Sequence, residues 1–271
     1  VYKLLYARNI RIELLLKRRN PTGYKQTVLL TKEEYGNIIT YEQMFICNYE
    51  GGKGMGIYRN YIYPSIIEAL LSRPSVMAQR KDLLRHARGE ILEIGFGTGL
   101  NLSCYPEGVK RITIVESNQG MNQKAAKRVA QSNIQVDCRL LNAESLPFED
   151  GSFDTVVSAF TFCSIKEVDK ALREIYRVLK PDGQLLFLEH GLSPHKGECF
   201  FQNVLNPVYR IFSDGCHLNR DVEDMIKRNG FNITWMEQFY DRQMIKLADY
   251  LSKGMALKNV NKWGIGQRGI T

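Results

Sequence analysis

The sequence predicts an α/β fold in which a seven-stranded, mostly parallel sheet lies between layers of helices, with N-terminal helical additions. Three observations carry this. Short apolar runs alternate with helix-length segments from residue 90 onward, a three-glycine turn (Gly95-Phe-Gly-Thr-Gly99) directly follows the first run, and Val168, Ala171, Leu172, Ile175 and Leu179 keep the spacing of one buried helical stripe. Repeated strand–helix units imply parallel pairing with both sheet faces covered.

The elements follow in order along the 271 residues, whose 44 % hydrophobic content fills a sizeable core and excludes a disordered or fibrous chain. Residues 4–19 alternate apolar clusters with basic positions and predict a basic amphipathic helix that stops before Pro21. Seven basic residues against Glu13 alone in residues 1–26 give this arm most of the net charge of +8. Docking on its own domain with a solvated basic face is the main reading of the arm, and contact with a membrane surface or an anionic partner is the other. Gly51-Gly-Lys-Gly-Met-Gly56 marks a joint, which divides an arm or lid of residues 1–57 from a domain of residues 58–258 and a tail of residues 259–271. Two helices are expected between Tyr58 and Arg88, then strands near 90–95, 111–116, 134–140, 153–158 and 184–189. Helices over about 199–212 and 219–229, the second capped by Asn219, precede two late strands near 231–238 and 243–252.

No apolar run approaches the roughly 20 residues of a membrane-spanning helix, and no cleavable signal is read; because the first residue is Val1, an upstream segment is left open. The six cysteines form no CxxC pair, so reduced thiols and a cytoplasmic chain are expected. Cys163, Cys216 and His217 invite comparison with metal ligands, but one His–Cys neighbour pair without a second cluster reads as packing, and no metal is expected.

Glycines in the first strand-to-helix turn of a doubly wound sheet remove the Cβ atoms that would keep a ligand from the backbone. A dinucleotide fold spaces them GxGxxG, whereas here the pattern is GxGxG with Glu93 inside the preceding strand, a carboxylate that repels a phosphate and attracts an ammonium group. The chain has no GxxxxGK[ST], which excludes a P-loop. Glu116 ends the next strand, where a carboxylate can accept both hydroxyls of a ribose.

With these residues in this order, the sequence resembles the class I S-adenosylmethionine-dependent methyltransferases over about residues 58–258. "LEIGFGTG" (92–99) is similar to their first motif, "VES" (115–117) to the ribose-binding acid motif, "NAESLPFEDGSFDTVVS" (142–158) to the adenine-contacting turn and fourth strand, and "LREIYRVLKPDGQLLFLEH" (172–190) to the segment that follows. The resemblance implies a Rossmann-like methyltransferase sandwich and S-adenosyl-L-methionine as cofactor. It also implies Gly95, Gly97 and Gly99 along the methionine portion with Glu93 on its ammonium directly or through water, and Glu116 with Ser117 at the ribose. Asn142 and Ala143 would read the adenine and Ser158 would lie near the sulfonium. Asn142 departs from the family's more usual Asp.

Cys163-Ser164, Glu189-His190, Gln202 through Pro207 and Asp214-Gly-Cys-His-Leu-Asn-Arg220 resemble the branch with the animal alkyl-thiol S-methyltransferases and bacterial quinone- or phospholipid-methyltransferase-like proteins. The basic arm stands where the animal members carry an apolar membrane segment. Methyl transfer needs a nucleophile held opposite a sulfonium in a dry pocket, and His190 or His217 is the candidate base or orienter. Methyl transfer to a small lipophilic acceptor is expected, a thiol first, then a quinol, phenol or lipid amine. Two other readings stay open: a non-catalytic S-adenosylmethionine-binding protein with a basic interaction arm, and an RNA methyltransferase. Nucleic acid is the weaker partner because the charge lies outside the catalytic domain.

Overall fold

Of the chain, a computed structural model describes residues 5–7, 10–19, 25–30 and 58–259. Two units divide it, residues 1–49 and residues 50–271. In the first, strands β1 (Leu5–Ala7), β2 (Ile10–Arg19) and β3 (Lys25–Leu30) pair antiparallel in that order. The helix expected over residues 4–19 is thus replaced by strand. Ile10 and Ile12 are β-branched and alternate with Arg11 and Glu13, a period of two that outweighs the helical reading of the leucines beyond them. The glycine joint at 51–56, the lid expected with it and the tail from residue 260 lie outside the described residues.

The second unit begins with a π-helical turn, Tyr58–Ile62, that runs into helix α1 (Tyr63–Leu71); α2 (Pro74–Leu84) follows. Proline opens both helices, where a missing N–H costs nothing. Strands β4 (Ile91–Ile94), β5 (Arg111–Val115), β6 (Gln135–Arg139), β7 (Phe153–Ala159) and β8 (Leu179–His190) then alternate with α3 (Gln119–Gln131) and α4 (Val168–Val178). Helices α5 (Lys196–Phe212) and α6 (Val222–Arg228) precede β9 (Phe231–Tyr240) and β10 (Tyr250–Lys258). The sheet order is β6-β5-β4-β7-β8-β10-β9. All neighbours are parallel except β10, which pairs antiparallel with β8 and β9. Strand order reverses on either side of β4, and that is where an open α/β sheet offers a crevice.

Several boundaries differ from the sequence expectation. The last strand spans 250–258 rather than 243–252, because residues 241–249 close into a turn in which the Asp241 N–H donates to the Asp249 carbonyl at 2.8 Å. Gly254 lies inside β10, where a Cβ would sit 2.5 Å from the Trp235 carbonyl oxygen. Helix α6 is capped by Asp221, whose side chain accepts the Asp224 N–H at 3.0 Å, and the Asn219 amide instead donates to Asn203 at 2.8 Å. In β8 the pairing jumps from Leu179 opposite Phe153 to Gln184 opposite Thr155, so Lys180–Gly183 bulge where a turn is expected.

Both sheet faces are covered, and successive strand residues therefore alternate between two cores. Val156, Leu185 and Phe187 meet Leu172 and Ile175 of α4 on one side, while Val157, Leu186 and Leu188 join Leu83 and Leu84 of α2 on the other. The C-terminal strand ends are left to the loops. No helix among the described residues is long and apolar enough to cross a membrane. Leu172 has no exposed surface in the α4 core, so Leu172→Ala should cost about 2–5 kcal/mol in a denaturant titration, and an unchanged midpoint would show that α4 is not packed this way.

Candidate functional site

Each glycine of the turn after β4 has a left-handed backbone, with φ of 70° at Gly95, 59° at Gly97 and 79° at Gly99. They serve different ends. A Cβ on Gly95 would lie 2.1 Å from Thr161 Oγ1, and one on Gly99 would lie 3.1 Å from the Phe96 ring, so these two permit close packing. A Cβ on Gly97 would meet nothing nearer than the Gly95 carbonyl oxygen at 4.0 Å. Gly97 thus leaves bare backbone facing open space, the surface a ligand can approach.

Glu116, at the end of β5, holds that turn in place. One carboxylate oxygen accepts the Gly97 N–H at 2.8 Å and the other accepts the Asn118 N–H at 2.7 Å. Burial pushes the carboxyl above its usual range while these backbone donors pull it back. The Asn118 side chain accepts from the Gly120 and Met121 N–H groups and so caps α3. Its amide donates to Asp214 at 3.1 Å, and Asp214 in turn pairs with Arg59 at 2.8 Å. Gly120 is needed because the π-helical turn lies on it: a Cβ there would be 2.1 Å from the Asn60 carbonyl oxygen.

These groups surround a cleft of ≈ 290 Å³ at the ends of β4, β5 and β7. Of the residues expected at the cofactor, Gly95, Gly97, Glu116, Ser117, Asn142 and Ala143 line it. Asn142 Oδ1 accepts the Glu144 N–H at 3.0 Å, which fixes the amide and leaves its NH2 for a ligand. Glu93, Gly99 and Ser158 are not among the lining residues. Ser158 has no exposed surface, and its hydroxyl donates to Glu189 at 2.8 Å, a bond that also draws in the N–H groups of Thr161 and Phe162. Ala159 and Phe160 occupy the cleft wall in its place, because alternate strand residues face opposite sides.

Glu93 sits behind the wall with 1 % of its surface exposed, its oxygens accepting from Asn101 at 2.9 Å and Tyr105 at 2.7 Å. Burial pushes its carboxyl up to about 7, with the Tyr105 and Asn101 bonds and the Arg80 charge opposing the rise. Each oxygen keeps a lone pair beyond these bonds, so burial rather than saturation limits what else Glu93 accepts. Arg80 faces the cleft instead: it donates to Asn101 at 2.7 Å, lies 5.2 Å from the Phe160 ring centroid, and leaves Nε without a hydrogen-bond partner among the described residues. Sequence reading misses Arg80 because a single arginine in helix α2 carries no motif. Its one signal is its place on the buried stripe of α2, four residues after Val76 and three and four before Leu83 and Leu84.

Neither histidine expected as a base lines the cleft. His190 is buried at the end of β8 and lies 2.9 Å from Cys216 Sγ, and His217 is half-buried with its imidazole pushed down to about 4 by desolvation and then by Arg220 and Arg210. Their positions follow from topology: β8 ends one strand beyond β7, behind the Phe160–Ser164 turn. Cys163, His190 and Cys216 converge there, with ligand atoms all within 4.8 Å of one another, although they are far apart in sequence. The grouping takes His190 where sequence reading weighed His217.

A family model described as "Methyltransferase domain" matches residues 92–187. The chain is 34 % identical over 150 residues to the thiol S-methyltransferase TMT1A of Homo sapiens, covering 52 % of this chain and 59 % of that protein. It is 35 % identical over 170 residues to the thiol S-methyltransferase TMT1B of Mus musculus, covering 60 % of this chain and 68 % of that protein. Against the first of these relatives, then, the chain spans a little under two thirds of the length. Among solved structures it is similar to an S-adenosylmethionine-dependent methyltransferase from Thermotoga maritima described as a possible histamine N-methyltransferase. The TM-score is 0.54 at 20 % identity, over 75 % of this chain and 98 % of that one.

The cleft suits S-adenosylmethionine on its own donor set. Glu116 retains lone pairs for ribose hydroxyls, Arg80 Nε offers a buried donor to a carboxylate, Asn142 has a free NH2, and Gly97 presents bare backbone. Glu93 gives a pH test. Its folded pKa stands above the ordinary carboxyl value of 4.5, so the folded state holds an extra proton between about pH 4.5 and 7, and stability falls as pH rises through that window. Glu93→Gln should remove the fall, gaining on the parent by on the order of 3 kcal/mol between pH 5 and 8. Parallel thermal melts of the two proteins across that range would refute it.

Proposed function

The chain belongs to the S-adenosylmethionine-dependent methyltransferase family, and from that premise we propose that it methylates a small lipophilic acceptor, a thiol in the first instance. One observation carries the choice of nucleophile. Among the described residues lining the cleft there is no histidine, so a nucleophile that ionises with little help fits best. A free thiol, with a pKa of about 8.5, needs only a positive field to form the thiolate. Lys166 lines the cleft and supplies that field, Arg59 there being paired with Asp214, whereas a quinol carbon calls for a base placed against its phenol. The Tyr63 phenol is no substitute, since burial holds it far above its ordinary pKa and its hydroxyl donates to the Ser213 carbonyl at 3.1 Å.

When bound, the cofactor supplies an electrophilic methyl group on a sulfonium. The protein's work is orientation and exclusion of water. Glu116 and Asn142 would hold the nucleoside, Arg80 the amino-acid carboxylate, and Gly97 the chain between them. Tyr63, Phe160 and Ile165 give the opposite wall an apolar and aromatic surface. The lipophilic class of acceptor is supported by helix α5, whose residues Phe200, Phe201, Val204, Val208, Ile211 and Phe212 are exposed. That face ends beside the cleft mouth, where the Tyr58 hydroxyl donates to the Phe212 carbonyl at 2.6 Å.

The test is transfer of labelled methyl from S-adenosylmethionine to a panel of alkyl thiols, quinols, phenols and lipid amines. Thiols should be methylated, and Glu116→Ala should lower transfer at limiting cofactor by about 100-fold through loss of the ribose bonds. Tight cofactor binding with no transfer to any acceptor would favour the binding-only reading, and methylation of quinols alone would overturn the thiol assignment.

A further inference from the structure

Behind the acceptor side of the cleft, three loops that are remote in sequence bring two thiols and an imidazole together. Cys163 lies in the turn after β7, His190 at the end of β8 and Cys216 in the loop after α5; their exposures are 4 %, 4 % and 6 %. The loops are tied directly, since the His217 N–H donates to the Cys163 carbonyl at 2.8 Å. Left-handed residues at Phe160, Asp214 and Gly215 turn the chain so that the two cysteines face each other. Arg220 fixes the first loop by donating to the Phe162 and Ile165 carbonyls. No other described cysteine belongs to the group.

We propose that Cys163, His190 and Cys216 form a binding site for one thiophilic divalent cation, Zn2+ in the first instance. The donor set is one such ions select: two sulfurs and an imidazole nitrogen, each able to present a lone pair once its proton is displaced. Spacing agrees. With metal–sulfur distances of about 2.3 Å, tetrahedral coordination separates two sulfurs by about 3.8 Å. The three ligand atoms lie within 4.8 Å of one another, and the 2.9 Å His190 Nε2···Cys216 Sγ contact need open only slightly to admit an ion. The imidazole is free to adjust, because its Nδ1 has no hydrogen-bond partner among the described residues.

Charge agrees as well. Two buried thiolates alone would be prohibitive, but binding releases two thiol protons and sets two negative sulfurs against a 2+ ion, so the site as a whole is neutral. Three protein ligands leave a fourth position for a water molecule. None of the three lines the cleft, which makes the site a structural pin rather than part of the chemistry. It would clamp the loop that carries Phe160, Thr161 and Ser164 to the loop that carries Asp214, both of which wall the cleft. The inference stands apart from methyl transfer, since it requires no acceptor and no turnover.

The test is metal loading of the reduced 271-residue chain. After incubation with Zn2+ and gel filtration, elemental analysis should find about one zinc per chain. Replacing it with Co2+ should give a sulfur-to-cobalt charge-transfer band and the intense visible bands of a tetrahedral site. Cys163→Ser and Cys216→Ser should each abolish retention through gel filtration, His190→Gln should weaken the visible bands, and Cys199→Ser should change neither. Loss of fold in a variant would not decide the matter, because the parent's zinc content and cobalt spectrum stand alone. A parent chain that retains no zinc and shows no charge-transfer band would overturn the proposal. So would a cobalt signal that persists in both cysteine variants, or a Cys163–Cys216 disulfide found in the reduced preparation in place of metal.

Discussion

The Glu116 carboxylate is the contact on which the rest of the site depends. It accepts one N–H from the glycine turn and one from Asn118, so a single buried anion fixes the phosphate-free cradle after β4 relative to the start of α3. From Asn118 the order passes through the α3 cap to Asp214 and Arg59, which frame the mouth of the cleft. Taking a carboxylate out of water is costly, and here two backbone donors compensate while lone pairs remain for a ligand. The same group thus shapes the turn and retains the capacity to bind.

A second buried carboxylate does different work. Glu93 is closed off by Asn101 and Tyr105, and Asn101 also receives Arg80, so a four-residue network lies between the sheet and the cleft. Its outermost member is a cation with an unused N–H. Although Glu93 lies only two residues before the glycine turn in sequence, Arg80 is the member of its network that faces the cleft. Arg80 thus adds a donor for a carboxylate that the sequence alone does not point to.

Much of the fold was legible because it rests on local periodicity. The stripe of Val168, Ala171, Leu172 and Ile175 and the alternation of Val156 with Val157 each report burial directly. The glycine turn and Glu116 were legible because spacing alone distinguishes them from a dinucleotide turn. What was hidden depends on topology. Cys163, His190 and Cys216 converge only once the turn after β7 folds beside the end of β8, and Arg80 reaches the cleft only once α2 packs on the sheet. The N-terminal segment misled because its leucines satisfy helical spacing while its isoleucines satisfy a strand's.

The most direct test of the account is a crystal structure of the chain with S-adenosylhomocysteine. The account predicts the ribose hydroxyls on Glu116, the adenine beside Asn142 and Ala143, and the amino-acid carboxylate on Arg80 Nε, with the Glu93–Tyr105 bond intact. A ligand whose ammonium displaces Tyr105 from Glu93, with its carboxylate turned away from Arg80, would contradict it, as would a ligand bound outside the cleft.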